Sequence, residues 1–187
     1  MLEKLLSLDV QLFVYLNGLG SETYDGLWLF ITKQANWTPF FLVLLYIIYK
    51  KLGAKQSLYV IVSIAILILI TDQFTNLVKY SVQRLRPCNN PEINSFIRIV
   101  QSRSSFSFFS GHASNTMASA VFLFLLIKPY FKYAFLLFLW PLIFAYSRIY
   151  LGLHYPLDIL CGYLFGIMTG LFVYKMYQFT QIKYFPL

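Results

Sequence analysis

The sequence predicts an all-α fold, a polytopic membrane helical bundle with about five to six transmembrane helices preceded by an interfacial amphipathic helix. Two observations support this. Hydrophobic residues make up 59% of the chain and charged residues 12%, against about 25% charged residues in a typical globular protein. The apolar residues also gather in long runs separated by polar connections. A length of 187 residues predicts a single membrane-embedded domain, residues 1–187.

Residues 1–34 are expected to form short helices in the membrane interface. Leucines recur there at helical spacing, and Asp9 interrupts the apolar run, which argues against a signal peptide. The pattern predicts a first amphipathic helix ending near Asn17 and a second amphipathic segment over residues 23–32. A partly buried N-terminal hairpin explains the same pattern equally well.

Five apolar segments that follow are candidates for membrane-spanning helices. They are residues 37–49, 58–80, 113–127, 133–150 and 157–177. A span needs about 20 residues, so the first and third spans are expected to include residues of the segments before them. Pro156 suits the first turn of the last helix, where a missing N–H has no helical partner to lose.

Basic residues divide between the two sides of this predicted bundle. Lysines mark three places that share one side if every span crosses: Lys50, Lys51, Lys55, Lys128, Lys132, Lys175 and Lys183. The positive-inside rule makes that side cytoplasmic. A net charge of +8 is then explained by topology and anionic headgroups. Membrane lipids are therefore expected as partners and nucleic acid is not.

All five arginines fall on the opposite face of the membrane. They are Arg84, Arg86, Arg98, Arg103 and Arg148. Arginine suits bidentate phosphate recognition, so these residues predict an anion site on the extracytoplasmic (periplasmic) side of the cell (inner) membrane. Simple contact with anionic headgroups is the other explanation, and we favour it for Arg84, Arg98 and Arg103.

Three polar clusters are expected to converge on that face. The second and fourth spans end there, and the third and fifth spans begin there. The clusters are residues 79–87, 110–112 and 147–158. Helix N-termini favour anions. If a helical turn forms already at His154, then His154 and Asp158 share a face, and the carboxylate can fix the imidazole tautomer.

The clusters read Lys79-x6-Arg86-Pro87, Ser110-Gly111-His112 and Ser147-Arg148-x5-His154-x3-Asp158. Together they resemble the three-part signature of the type 2 phosphatidic acid phosphatase superfamily, which includes membrane lipid phosphatases, glucose-6-phosphatase and the vanadium haloperoxidases. The resemblance covers residues 79–158. One position departs from it: Phe109 stands where the family usually has proline.

The resemblance implies a role for each matching residue. His154 would attack phosphorus and become a phosphohistidine, Asp158 would hold its ring, and His112 would protonate the leaving oxygen and then activate water. The phosphate oxygens would be held by Lys79, Arg86, Arg148, Ser110 and the Gly111 N–H. Phosphoryl transfer depends mostly on positioning and charge stabilisation, which fixed donors of this kind supply.

Other polar residues have plainer explanations. Asp72 lies inside the second span, where an ionisable group is a functional candidate, and a structural hydrogen-bond acceptor is equally consistent. Ser147 is expected only to cap or orient its neighbours. Glu92 and Asn94 are expected in a solvated loop.

No metal and no cofactor are expected. The outer face offers too few carboxylates and histidines for a two-metal site, so activity should survive EDTA and be blocked by vanadate. Cys88 and Cys161 form neither a disulfide framework nor a metal pattern and are expected as free thiols.

The substrate is expected to be a lipid phosphate. Residues 87–110 form a long loop of arginines and aromatics, and long loops are commonly functional. Such a loop suits lateral entry of a lipid or, alternatively, a plug over the site. An isoprenyl (undecaprenyl) diphosphate is placed first, ahead of phosphatidic acid, phosphatidylglycerophosphate and lipid A. A lipid phosphotransferase and a non-enzymatic phospholipid-binding transporter or scaffold remain the alternatives.

Overall fold

The computed structural model describes the backbone of residues 1–184 and the side chains of residues 1–181. Its helices are α1 (Leu2–Gly18), α2 (Asp25–Ile31), α3 (Thr38–Val82), α4 (Gly111–Ile127), α5 (Leu139–Tyr150) and α6 (Pro156–Tyr184). Short 3-10 helices lie at Glu22–Tyr24, Gln34–Trp37, Pro87–Asn89 and Ala134–Phe138. The described chain is 77% helix without a strand, so the all-α prediction is confirmed.

The helix α3 contains two of the predicted spans. Gly53 interrupts it with φ +80°, a left-handed conformation that glycine adopts without strain. The two halves then run side by side, since Phe41 and Leu44 line the same cavity as Val60 and Ile64. The lysine-bearing connection expected between these spans is therefore a sharp break at one glycine.

Among the residues that the structure describes, two helical stretches are long and apolar enough to cross a membrane, Gln34–Asn89 and Pro156–Gln181. Two shorter apolar stretches are Gly111–Ile127 and Ala134–Tyr150. These correspond closely to the predicted spans and agree with a membrane helical bundle. The expected N-terminal helices are also present as α1 and α2.

The helix α4 lies at the centre and packs against α3, α5 and α6. Its contact with α6 is close because α6 presents glycines to the α4 backbone. A Cβ added to Gly162 would lie 2.7 Å from the Ser110 carbonyl oxygen, and one added to Gly166 would lie 2.5 Å from that of Ser114. Small residues let membrane helices approach in this way. The approach brings the start of α4 beside the start of α6.

Candidate active site

The three predicted clusters meet at one end of the bundle. Lys79 lies in the last turn of α3, His112 in the first turn of α4 and Arg148 in the last turn of α5. The connection from α5 to α6 carries His154. A backbone hydrogen bond from Ser110 N to the Asp158 carbonyl oxygen, at 3.0 Å, ties the α4 start to α6.

The tautomer of His154 follows from its hydrogen bonds. Nη1 of Arg86 donates to His154 Nε2 at 2.8 Å. Because a guanidinium can only donate, Nε2 carries the lone pair, and the proton of the neutral ring is on Nδ1. Nδ1 lies 3.4 Å from Oδ2 of Asp158 and 3.5 Å from Oγ of Ser107. The arrangement leaves one ring nitrogen able to act as a nucleophile.

The charge state of His154 is set by its surroundings. The side chain is 1% exposed. Burial, followed by the cations of Arg86, Arg148 and Lys79, lowers the pKa of His154 well below its ordinary value of 6.5. Both effects disfavour the imidazolium form, so the ring is neutral at physiological pH.

Asp158 is fully buried and accepts several hydrogen bonds. Its Oδ2 accepts from the Tyr155 N–H at 3.0 Å and from the Ser107 hydroxyl, and its Oδ1 accepts from Arg84 Nη1 at 2.7 Å. The condition that a helical turn forms already at His154 is not met, because α6 begins at Pro156, yet the two side chains still meet. The pair meets because the Asp158 carboxylate folds back over the N-terminus of α6, where the helix dipole favours a negative charge.

A polar cleft of about 360 Å³ opens at the start of α4, and neither His154 nor Asp158 lines it. Its lining is Gln34, Asp72, Thr75, Asn76, Lys79, Arg103, Gly111, His112 and Asn115. His112 stacks on Phe144 with ring centroids 5.6 Å apart. Ser110 caps α4, its Oγ accepting from the Ala113 N–H at 3.4 Å. The predicted acid–base group and the N-terminus of α4 therefore border open space.

Arg86 and Arg148 lie in the buried layer that holds His154. Arg86 donates from Nε to the Ser105 carbonyl at 2.7 Å and from Nη1 to the Leu153 carbonyl at 2.9 Å. Arg148 is 1% exposed and donates from Nη1 to the Thr32 hydroxyl. Its Nε and Nη2 have no hydrogen-bond partner in the described part of the chain. Unpaired buried donors are costly, and an anion would satisfy them.

The headgroup assignments of Arg98 and Arg84 are wrong. Arg98 does not face headgroups: its Nη2 pairs with Asp25 at 2.9 Å. Arg84 is not a headgroup contact either, because it bridges Asp9 and Asp158. Arg103, also assigned to headgroups, is exposed but lines the cleft.

The remaining polar residues have structural partners or face solvent, and Asp72 also lines the cleft. Asp72 accepts a hydrogen bond from Asn115 Nδ2 at 2.7 Å. Ser147 donates to the Phe144 carbonyl within α5 at 2.5 Å. Glu92 and Asn94 are exposed, as expected for a solvated loop. Cys88 and Cys161 are both free.

Sequence reasoning missed three residues around the site. Ser107 binds Asp158 from the long loop, and no local pattern sets it apart from the neighbouring serines. Asp9 and Asn17 project from the buried face of α1. Their spacing of eight residues within an apolar helix was a signal that they share that face.

Comparison with known proteins identifies the family. A model of the PAP2 superfamily matches residues 56–182, which include all three clusters. The chain belongs to this superfamily. The resemblance drawn from the clusters is confirmed, and the protein is a lipid phosphate hydrolase.

Similar proteins include two enzymes. The chain is 36% identical over 186 residues to a lipid A 4'-phosphatase of Bacteroides thetaiotaomicron, covering 96% of this chain and 82% of that protein. It is 31% identical over 168 residues to an undecaprenyl-diphosphatase of Sulfolobus acidocaldarius, covering 88% and 76%.

A solved structure shares the fold. The PAP2 type phosphatidylglycerolphosphate phosphatase of Bacillus subtilis superposes with a TM-score of 0.73 at 17% identity, covering 97% of this chain and 89% of that one.

Proposed function

We propose that this PAP2 hydrolase releases phosphate from a lipid through a phosphohistidine at His154. The observation that carries the proposal is the orientation of the ring: Nε2 holds the lone pair among buried cations, while Nδ1 faces Asp158. A neutral imidazole oriented by a carboxylate is the arrangement that nucleophilic catalysis requires.

The reaction has two steps. In the first, Nε2 of His154 bonds to phosphorus, the bond from phosphorus to the bridging oxygen of the lipid breaks, and His112 gives that oxygen a proton. In the second, His112 takes a proton from water, the water oxygen bonds to phosphorus, and the N–P bond breaks. The products are the dephosphorylated lipid and inorganic phosphate. Asp158 stabilises the positive charge on the ring throughout.

Lys79, Arg86 and Arg148 hold the phosphoryl oxygens in this proposal. The free Nε and Nη2 of Arg148 supply two donors. Arg86 occupies the lone pair of Nε2 before substrate arrives, so an entering phosphoryl group must separate the two side chains. Arg86 then donates to a phosphate oxygen instead of to the ring. Ser110 and the Gly111 N–H complete the set at the positive end of α4.

The lipid tail is proposed to lie in an apolar groove of about 310 Å³ that adjoins the polar cleft. Gln34, Asp72 and Asn115 line both spaces. The apolar lining comes from Trp37, Phe41, Ile64, Ile68, Leu123, Trp140 and Phe144. A tail in this groove lies beside α3 and α5. The long loop, in contrast, packs over the site through Ser105 and Ser107. Its aromatic residues had suggested that it admits the lipid.

The lipid is proposed to be a lipid A type phosphate monoester. The relative that acts on lipid A has higher identity over more of this chain than the one that acts on undecaprenyl diphosphate. This reverses the order expected from the sequence. Undecaprenyl diphosphate remains the second candidate, because that relative is also 31% identical.

The active site is proposed to face the extracytoplasmic side of the inner membrane, with the five predicted segments all crossing. Lys51 lies over the Phe131 ring at 5.9 Å, so the Gly53 break and the α4–α5 connection lie together at the end of α4 remote from His112. Lysine-rich ends are cytoplasmic by the positive-inside rule. The side chain of Lys183 lies outside the described residues.

The test is phosphate release by the purified protein from lipid A, undecaprenyl diphosphate, phosphatidic acid and phosphatidylglycerophosphate. Wild type is expected to prefer lipid A, and His154→Ala should be inactive. An active His154→Ala variant would overturn the mechanism. Transfer of the phosphate to a second lipid would make the protein a phosphotransferase, and binding without turnover would make it a scaffold.

The proposed mechanism uses no metal ion. Activity should therefore survive EDTA, and vanadate should inhibit because it takes the five-coordinate geometry of the transition state. Loss of turnover in EDTA that returns with a divalent cation would exclude the mechanism.

A further inference from the structure

The helix α1 turns a polar stripe toward the protein. Asp9, Phe13 and Asn17 are its buried residues, spaced four apart so that they share one face. Leucines such as Leu5, Leu8 and Leu12 are exposed on the remaining surface. A helix with this orientation does not place Asp9 in water. The carboxylate must find its partners inside the protein.

Asp9 binds the segment that carries the proposed catalytic pair. Its Oδ1 accepts from the Leu157 N–H at 2.7 Å, and its Oδ2 accepts from Arg84 Nη2 at 2.6 Å. Leu157 directly precedes Asp158. The Asp9 side chain is 4% exposed, so both interactions are shielded from solvent and are stronger than a surface ion pair.

Arg84 connects Asp9 to Asp158. Nη1 donates to Asp158 Oδ1 at 2.7 Å while Nη2 binds Asp9. The guanidinium also stacks over the Tyr155 ring, 3.9 Å from its centroid, and the same ring packs edge-on against Phe13 with centroids 5.3 Å apart. The segment that follows His154 is thus held from α1.

The carboxylate of Asp158 depends on Arg84 in a specific way. Its Oδ2 has donors from Ser107, Tyr155 and the His154 ring. Its Oδ1 has one hydrogen-bond donor in the described part of the chain, Arg84. A fully buried carboxylate stays ionised only with a positive partner. Arg84 therefore favours the charged form of Asp158 and, together with the donors to Oδ2, fixes the rotation of its side chain.

We propose that Asp9 and Arg84 are a positioning pair for the reaction, holding the Asp158 carboxylate against His154 Nδ1 from the N-terminal helix. The inference rests on the proposed function. Arg84 lies in the first cluster but outside the signature positions Lys79, Arg86 and Pro87, and Asp9 lies outside residues 56–182 that match the family. Asp9 fixes one end of the guanidinium, so that its other end meets Oδ1 in a single orientation. The forked guanidinium is required because an ammonium is a single point of charge.

The chain provides a matched control. Arg98 and Asp25 form a second ion pair, at 2.9 Å, between the N-terminal region and the long loop. This pair has no contact with Asp158. If α1 and α2 merely brace the fold, Asp9→Asn and Asp25→Asn should have similar consequences. If the positioning role holds, only Asp9→Asn should affect turnover.

The experiment compares wild type, Asp9→Asn, Arg84→Gln, Arg84→Lys, the double variant Asp9→Asn with Arg84→Gln, and Asp25→Asn. A misplaced catalytic group costs up to about a hundredfold in rate. We expect kcat to fall about a hundredfold in Arg84→Gln and about tenfold in Asp9→Asn, with KM little changed. The double variant should be no slower than Arg84→Gln, because both changes break one chain of contacts. Asp25→Asn should retain the wild-type kcat.

Two further readouts separate positioning from general damage to the fold. The acid limb of the kcat/KM profile should move to higher pH in Arg84→Gln, because a cation that opposes protonation of the site has been removed. In Arg84→Lys the midpoint of this limb should return closer to the wild-type value than kcat does. Thermal midpoints in detergent identify any variant that is simply unfolded. Equal kcat in Asp9→Asn and Asp25→Asn, at equal thermal midpoints, would overturn the inference.

The outcome is distinguishable from failure of the proposed function. If wild type releases no phosphate from any lipid, or if His154→Ala remains active, the proposed function is wrong. If wild type is active, His154→Ala is inactive and the Asp9 and Arg84 variants match wild type, only the positioning role is wrong.

Discussion

Arg86 donates a hydrogen bond from Nη1 to Nε2 of His154 over 2.8 Å. The proposed nucleophilic atom is therefore held by a cation in the absence of substrate. The contact assigns the tautomer, keeps the ring unprotonated and requires Arg86 to move when a phosphoryl group arrives.

The pH dependence should reflect the lowered pKa of His154. A base whose pKa is lowered keeps its active, neutral form as the pH falls through 6.5 and loses it only at lower pH. The acid limb of kcat/KM, which reports the free enzyme, should have its midpoint below 6.5.

A direct titration checks the same pKa. The chain has two histidines, so His112→Asn leaves His154 as the single histidine signal in an NMR titration. We expect the ring to remain neutral at pH 6.5. A midpoint at or above that pH would contradict the electrostatic account of the site.

His112→Asn should affect the two chemical steps differently. General acid–base groups contribute about 10²–10⁴ in rate. Release of an alkyl alcohol needs the proton from His112, so turnover of a lipid phosphate should fall at least about a hundredfold. Nitrophenolate leaves without a proton, so nitrophenyl phosphate should still phosphorylate the enzyme.

A burst measurement tests this difference. Because the second step also uses His112, the variant should show a burst of nitrophenol followed by slow turnover, with phosphate retained on the protein. His154→Ala is the control and should show neither. Equal slowing of the burst and of lipid hydrolysis would exclude His112 as the acid.

Ser107→Ala should reduce kcat about 10- to 100-fold, since a hydrogen bond to a charged group contributes about 1.5–3 kcal/mol. Ser107 donates to Oδ2 of Asp158, the atom that faces the His154 ring. Ser104, an exposed residue of the same loop, provides the control: Ser104→Ala should behave as wild type. If both variants lose the same activity, the loop acts through its general conformation.

Gly166→Ala should destabilise the protein by about 1–3 kcal/mol, the usual range for overpacking. The added Cβ would lie 2.5 Å from the Ser114 carbonyl oxygen of α4, and backbone cannot move aside as a side chain can. The measurement is the thermal midpoint in detergent. Gly26→Ala is the control, because nothing lies within 4 Å of its added Cβ. A midpoint as high as that of the control would show that α4 and α6 tolerate separation.

Much of the fold could be predicted from residue patterns. Apolar runs locate α4 and α6 closely because membrane insertion depends on the hydrophobicity of each segment. The N-cap residue Ser110 and the first-turn residue Pro156 mark helix starts by local hydrogen bonding. Helix connectivity likewise indicated that the three clusters would meet. The break at Gly53 was not anticipated in detail, because a connection of any geometry satisfies the same pattern.

The assignments that failed concern charged side chains. Arg84 and Arg98 have carboxylate partners rather than headgroups. Their partners Asp9 and Asp25 lie more than 70 positions away in the chain. No local period relates residues so far apart.

The sequence by itself determined where the helices lie, which face of the bundle collects the polar clusters, and which superfamily the chain resembles. Those properties depend on hydrophobicity and short-range spacing. Only the tertiary structure decided that α1 reaches Asp158 through Asp9 and Arg84, that Ser107 holds the same carboxylate, and that Arg86 covers the His154 lone pair. Each of these contacts depends on how helices pack in three dimensions, because a buried charge takes whichever partner that packing brings within reach.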